Sequence, residues 1–138
     1  MKKIDLGTFE CTQDDIDSVT SALKSNMLSA GPILDKFEND VARYHNKNYG
    51  VMVNSGQSAL EVAIEMTKVR LGKAVLKIAL PATTYAATLW SIVRTNCVPV
   101  FVDVDESYVI NYNKIDIGDD IDAILAVDLC GYISHPPI

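Results

Sequence analysis

The stretch Val51-Met-Val53-Asn54-Ser-Gly-Gln-Ser58 decides how this chain is read. A short apolar run predicts a strand, and the polar residues behind it predict a glycine turn. A helix then begins near Ser58, with Leu60, Ala63, Ile64 and Val69 as its apolar positions. Gly72 ends that helix. Residues 75–80 predict a second strand, stopped by Pro81. Thr83 or Thr84 caps a further helix, whose apolar face carries Ala87, Trp90 and Val93. Residues 98–104 are a β-branched run with a proline near its start, where a strand tolerates one. Residues 108–112 read as a short strand or turn, and 121–129 as another apolar strand ending at Cys130-Gly131. Apolar strands alternating with helices predict an α/β fold. The expected form is a three-layer α/β/α arrangement around a mainly parallel sheet covered on both faces.

Upstream, residues 12–25 predict an amphipathic helix. Thr12 caps it, Asp14, Asp15 and Asp17 occupy its first turns, and Ile16, Val19 and Leu23 share one face. Pro32 suits the first position of a second helix. That helix carries Ile33, Phe37, Val41 and Tyr44 and ends near residues 45–48. Residues 1–49 are therefore expected to form a helical segment, and residues 50–138 the α/β part.

The 138 residues hold 12 basic and 18 acidic side chains, a net charge of −6, which gives a nucleic-acid role no electrostatic support. No apolar run reaches membrane-spanning length, and the first ten residues lack the apolar core of a secretory signal. Cys11, Cys97 and Cys130 are far apart and odd in number. They predict no disulfide framework and a reducing, cytoplasmic setting. Cys97 and Cys130, inside apolar stretches, read as core residues. His45 and His135 stand alone, so no metal site is expected.

In parallel sheets of this kind, ligands gather at the carboxyl ends of strands. The polar residues there are Asn54 to Ser58, Thr83 to Tyr85, Asp103, Asp105 and Asp128. A strand that opens into a helix leaves backbone N–H groups unpaired beside a favourable dipole, and serine hydroxyls can add donors, which makes an anion site. The same residues also describe a plain helix cap. Tyr85 reads either as a ring stacking on a bound ring or as a half-buried cover for a helix end. The aspartates read as acid–base groups or as turn formers. Neither P-loop spacing nor a G-x-G dinucleotide fingerprint occurs.

Six stretches stand in order with fitting gaps: Ser29-Ala-Gly-Pro32, Phe37-Glu38, Asn54-Ser-Gly-x-x-Ala-Leu60, Pro81-x-x-Thr-Tyr-x-Ala-Thr88, Pro99-Val-Phe-x-Asp-Val-Asp105 and Val127-x-x-x-Gly131. Over about residues 27–131 the chain resembles the N-terminal part of the DegT/DnrJ/EryC1/StrS sugar aminotransferases, pyridoxal-phosphate enzymes of the aspartate-aminotransferase fold. The resemblance implies that residues 50–138 are the first part of the cofactor-binding large domain. It implies that Ser55, Gly56, Gln57 and Ser58 hold the cofactor phosphate, that Tyr85 stacks on the pyridine ring, and that Gly31 and Pro32 lie toward the substrate. It also implies transfer of an amino group, from a donor such as glutamate, to a nucleotide-linked keto sugar in a homodimer.

The chain departs from the family pattern in three ways. Gln57 stands where threonine is common. The segment from Gly72 to Pro81 is longer than usual, with Lys73 in place of an aspartate. No lysine here matches the family's Schiff-base lysine, which is expected beyond residue 138 together with the aspartate that pairs with the pyridine nitrogen. No catalytic residue is therefore assigned within the chain. A second reading is a non-catalytic short relative that serves as a phosphate-binding or dimerisation module. A third is a small phosphate-binding α/β domain unrelated to this cofactor.

Overall fold

The computed structural model describes residues 10–115 and 120–136. The signal-sequence reading of the first ten residues falls, but for Glu10, outside them. The chain divides into two compact units, residues 1–52 and 53–138.

In the first unit, helix α1 (Gln13–Lys24) starts at Thr12 as the sequence predicts. The Thr12 hydroxyl accepts the Asp15 N–H, and the Asp15 carboxylate accepts the Thr12 N–H at 2.9 Å, a reciprocal capping box. Helix α2 (Pro32–Tyr44) begins on its proline and ends at His45. Of its residues only Ala42 is buried, and Ile33, Phe37 and Tyr44 are exposed. Further on, the Glu38 carboxylate accepts the Met52 N–H at 2.8 Å. Gly50 lies so close to this helix that a Cβ would sit 2.4 Å from the Glu38 carbonyl oxygen, so no other residue fits without backbone movement.

The expected strand at 51–53 is absent. No segment among the described residues pairs with it, and the Met52 N–H is already given to a side chain. An apolar run becomes a strand only where a neighbour accepts its backbone hydrogen bonds.

The second unit carries helix α3 (Gly56–Leu71), strand β1 (Lys77–Pro81), helix α4 (Ala86–Arg94), strand β2 (Val98–Val102) and strand β3 (Ala123–Ile124). The sheet order is β2-β1-β3 and both pairings are parallel, so the α/β class and the parallel sheet stand as expected. Ile78 pairs with Pro99 on one side and Ala123 on the other. Alternation along β1 feeds two cores. Leu76, Ile78 and Leu80 pack with Ile64 of α3, Ile92 of α4 and Cys97. Ala79 packs on the opposite face with Val102 and Ile110. Burial on both faces explains the continuous apolar run.

Several boundaries differ from expectation. Pro81 closes β1 from inside rather than stopping it. The segment 121–129 contributes only two strand residues and then enters a 3-10 turn at Leu129–Gly131. Cys130 is exposed in that turn, with left-handed backbone at φ 54°, whereas Cys97 is buried as expected. On α4 the buried residues are Thr88, Ser91 and Ile92, while Trp90 is 55 % exposed and Val93 faces outward. Val69 of α3 is also exposed, and only Ile64 of that helix is buried. Gly72 ends α3 in the left-handed conformation, at φ 64°.

Lys73 pairs with Asp122. The Asp122 carboxylate also accepts the Lys77 N–H at 2.9 Å, clamping the start of β1 to the approach to β3. Lys73 first, and then the Lys77 N–H, hold the Asp122 carboxyl below its ordinary range. Among the described residues no helix is long and apolar enough to cross a membrane, and no cluster of potential metal ligands occurs.

Candidate functional site

The carboxyl ends of the three strands lead into the segments where the sequence places ligand-binding residues. Beyond β1 come Thr83 to Tyr85, beyond β2 Asp103 and Asp105, and beyond β3 Asp128.

The aspartates are turn formers. The Asp103 carboxylate accepts the Val104 N–H at 2.9 Å, and Asp105 accepts the Ser107 N–H at 2.8 Å. Asp128 accepts both the N–H and the hydroxyl of Ser134, at 2.8 and 2.9 Å. Those bonds, the backbone one foremost, hold its carboxyl below the ordinary range. A carboxylate committed to local N–H groups is poorly placed to exchange a proton.

The turn before α3 has a different character. Ser55 is extended and caps the helix, its oxygen accepting the Ser58 N–H at 3.1 Å. The helix therefore starts two residues earlier than the sequence predicts. The serine hydroxyls are already committed: Ser55 donates to Ser58 at 3.1 Å, and Ser58 donates to Asn54 at 2.7 Å. They lock the turn, so the donors left over are backbone ones. Among the described residues nothing accepts the N–H of Gly56 or Gln57, the first two amides of the helix. No acidic residue occupies that first turn.

Gly56 is not required by the fold. Its backbone is not in the left-handed region, and a Cβ added to it would meet no atom within 4 Å. The expected glycine-dependent turn is thus an open helix start, with clear space over two free N–H groups. That arrangement suits an anion approaching the backbone closely.

Tyr85 is the N-cap of α4, without a side-chain cap bond, and is 79 % exposed. It does not cover the helix end as a half-buried aromatic. Neither Thr83 nor Thr84 caps the helix, and Thr84 bonds Thr88 at 3.0 Å instead. Gly31 and Pro32 belong to the first unit, where they line a hollow of about 260 Å³ with Ser21 and Met27.

Three residues that the sequence reading passed over hold α3 and α4 together. Ser91 of α4 is fully buried, and its hydroxyl reaches the Gln57 carbonyl at 3.3 Å. Arg94 meets the Glu61 carboxylate at 2.9 Å, and Glu61 also accepts the Gln57 carboxamide at 3.0 Å. The available signal was the spacing of Thr88, Ser91 and Thr95, which puts small polar side chains on one face of α4.

Residues 10–135 match the DegT/DnrJ/EryC1/StrS aminotransferase family. The chain is 34 % identical over 95 residues to the spore coat polysaccharide biosynthesis protein SpsC of Bacillus subtilis, covering 69 % of this chain and 24 % of that protein. It is 32 % identical over 104 residues to the dTDP-3-amino-3,4,6-trideoxy-alpha-D-glucose transaminase of Micromonospora megalomicea, covering 75 % and 27 %. Among solved structures, the E. coli GDP-4-keto-6-deoxy-D-mannose-3-dehydratase with bound hydrated PLP superposes with a TM-score of 0.82 at 26 % identity, over 95 % of this chain and 35 % of that one. The chain thus spans between about a quarter and about a third of the length of these relatives.

Proposed function

Because residues 10–135 make this chain a member of the DegT/DnrJ/EryC1/StrS aminotransferase family, we propose that it forms the phosphate-gripping part of a pyridoxal-phosphate site in a sugar aminotransferase. The observation that carries this reading is the start of α3. Two free N–H groups, open space over Gly56 and no competing carboxylate meet at one helix N-terminus.

The residues present fit the cofactor's phosphate. The amides of Gly56 and Gln57 donate to it, and the helix dipole favours its charge. Ser55 and Ser58 shape the turn, and their hydroxyls reach the phosphate only by giving up their present bonds. Tyr85, free of packing, offers a ring face to the pyridine. When bound, pyridoxal phosphate supplies the electron sink for amino-group transfer. Gly31 and Pro32 are assigned to the substrate by the family resemblance alone. The acceptor is a nucleotide-linked keto sugar, the donor an amino acid such as glutamate, and the working form a cytoplasmic homodimer. Names of relatives such as the dTDP-sugar transaminase support the substrate class.

No lysine of this chain is assigned to bond the cofactor, so the 138 residues are expected to bind pyridoxal phosphate without turnover. Equilibrium dialysis, borohydride reduction with peptide mapping, and a glutamate turnover assay test this together. Saturable binding with no single lysine labelled is the expected result. Stoichiometric labelling of one lysine with glutamate turnover would place a complete catalytic site in the chain and overturn the assignment.

A further inference from the structure

We propose that Ser91 is a positioning residue, which fixes the separation between the Tyr85 ring and the amide pair of Gly56 and Gln57. The proposal rests on the reading above and adds to it the device that sets the site's span.

Tyr85 caps α4, and Gly56 and Gln57 open α3, so the register of these two helices decides how far apart the two grips stand. Helices that touch only through apolar side chains can slide and rotate by small amounts, because dispersion contacts are non-directional. Here two polar contacts limit that freedom. The Ser91 hydroxyl lies 3.3 Å from the Gln57 carbonyl and 2.7 Å from the Ala87 carbonyl. A hydroxyl has one proton, so Gln57 competes with a bond inside α4. One turn further along both helices, Arg94 meets Glu61 at 2.9 Å. Glu61 reaches back to the Gln57 carboxamide, so Gln57 is gripped through both its main chain and its side chain. The Gln57 side chain is spent on this tie, and what it leaves for an anion is its backbone N–H.

A ligand that touches both grips depends on their separation, and a ligand that touches one does not. Pyridoxal phosphate spans both, whereas inorganic phosphate engages only the amides. Dissociation constants for both probes are measured on the 138-residue chain and on Ser91→Ala. Pyridoxal phosphate should bind about three- to tenfold more weakly in the variant, the range of one ordinary hydrogen bond. Inorganic phosphate should bind as tightly as it does to the parent, with no change in its dissociation constant. Arg94→Gln, at the surface, should show the same split at about twofold, as befits an exposed ion pair, and serves if Ser91→Ala does not fold. Equal weakening of both probes, or no change in either, overturns the positioning role. A parent chain that binds pyridoxal phosphate no more tightly than inorganic phosphate overturns the proposed function itself, and the positioning role with it.

Discussion

The starts of α1 and α3 are built from similar residues and reach opposite electrostatic ends. Each is capped by a hydroxyl, Thr12 in one and Ser55 in the other. In α1 the first turn carries Asp14 and Asp15, and the Asp15 carboxylate folds back onto the cap. The dipole there already has its anion. In both helices the first two amides have no protein partner among the described residues, but in α3 the first turn carries no acid to face them. A helix N-terminus stays open to an anion when its first three positions carry no acid.

Gly56→Asp converts the second kind of start into the first. A carboxylate at the opening position of α3 would accept the free amides and repel phosphate. Loss of charge-assisted bonds worth about 1.5–3 kcal/mol each should weaken pyridoxal phosphate binding tenfold or more. Because a Cβ at Gly56 meets no atom within 4 Å, the fold should hold, and the thermal midpoint should stay or rise slightly. Binding that survives the substitution would show that the phosphate sits elsewhere.

Ser55→Ala probes the cap rather than the anion. It removes the acceptor for the Ser58 N–H and should cost about 1 kcal/mol in a denaturant titration. A cost near zero would mean the turn is held by Asn54 and Ser58 alone.

The smallest effect belongs to α1. The Thr12 hydroxyl first, and then the Thr12 N–H, lower the Asp15 carboxyl below its ordinary 3.8. The folded state therefore prefers the ionised form. The stabilisation is complete above the ordinary value and fades as pH falls through the lowered one. Circular dichroism on acidification should show the parent losing helix in that window, and Asp15→Asn losing less there. Identical acid profiles would break the capping-box half of the comparison.

Capping is local, so part of it was legible, although α3 starts two residues earlier than expected and neither Thr83 nor Thr84 caps α4. Thr12, Pro32 and Gly72 all act where their own residue types predict, since each works through backbone atoms at most a few positions away. Strand content was less legible. An apolar run such as Val51-Met-Val53 announces only that burial suits it, and no paired strand lies beside it. The same limit misplaced the buried face of α4, where Thr88 and Ser91 turn inward and Trp90 outward. Tyr85 and Gly56 were singled out by type and position. The tie through Ser91 and Gln57 was not, because the spacing of Thr88, Ser91 and Thr95 marks a polar face of α4 but not the partner 34 positions away.

On the proposed function, the first amides of α3, unlike those of α1, hold a phosphate. An ¹H–¹⁵N correlation spectrum of the chain titrated with pyridoxal phosphate reads both helix starts at once. Saturable shifts are expected at Gly56 and Gln57, reproduced in direction by inorganic phosphate, with the amides of Gln13 to Asp15 unmoved. Saturable shifts in the first turn of α1, or binding that leaves Gly56 and Gln57 unmoved, would contradict it.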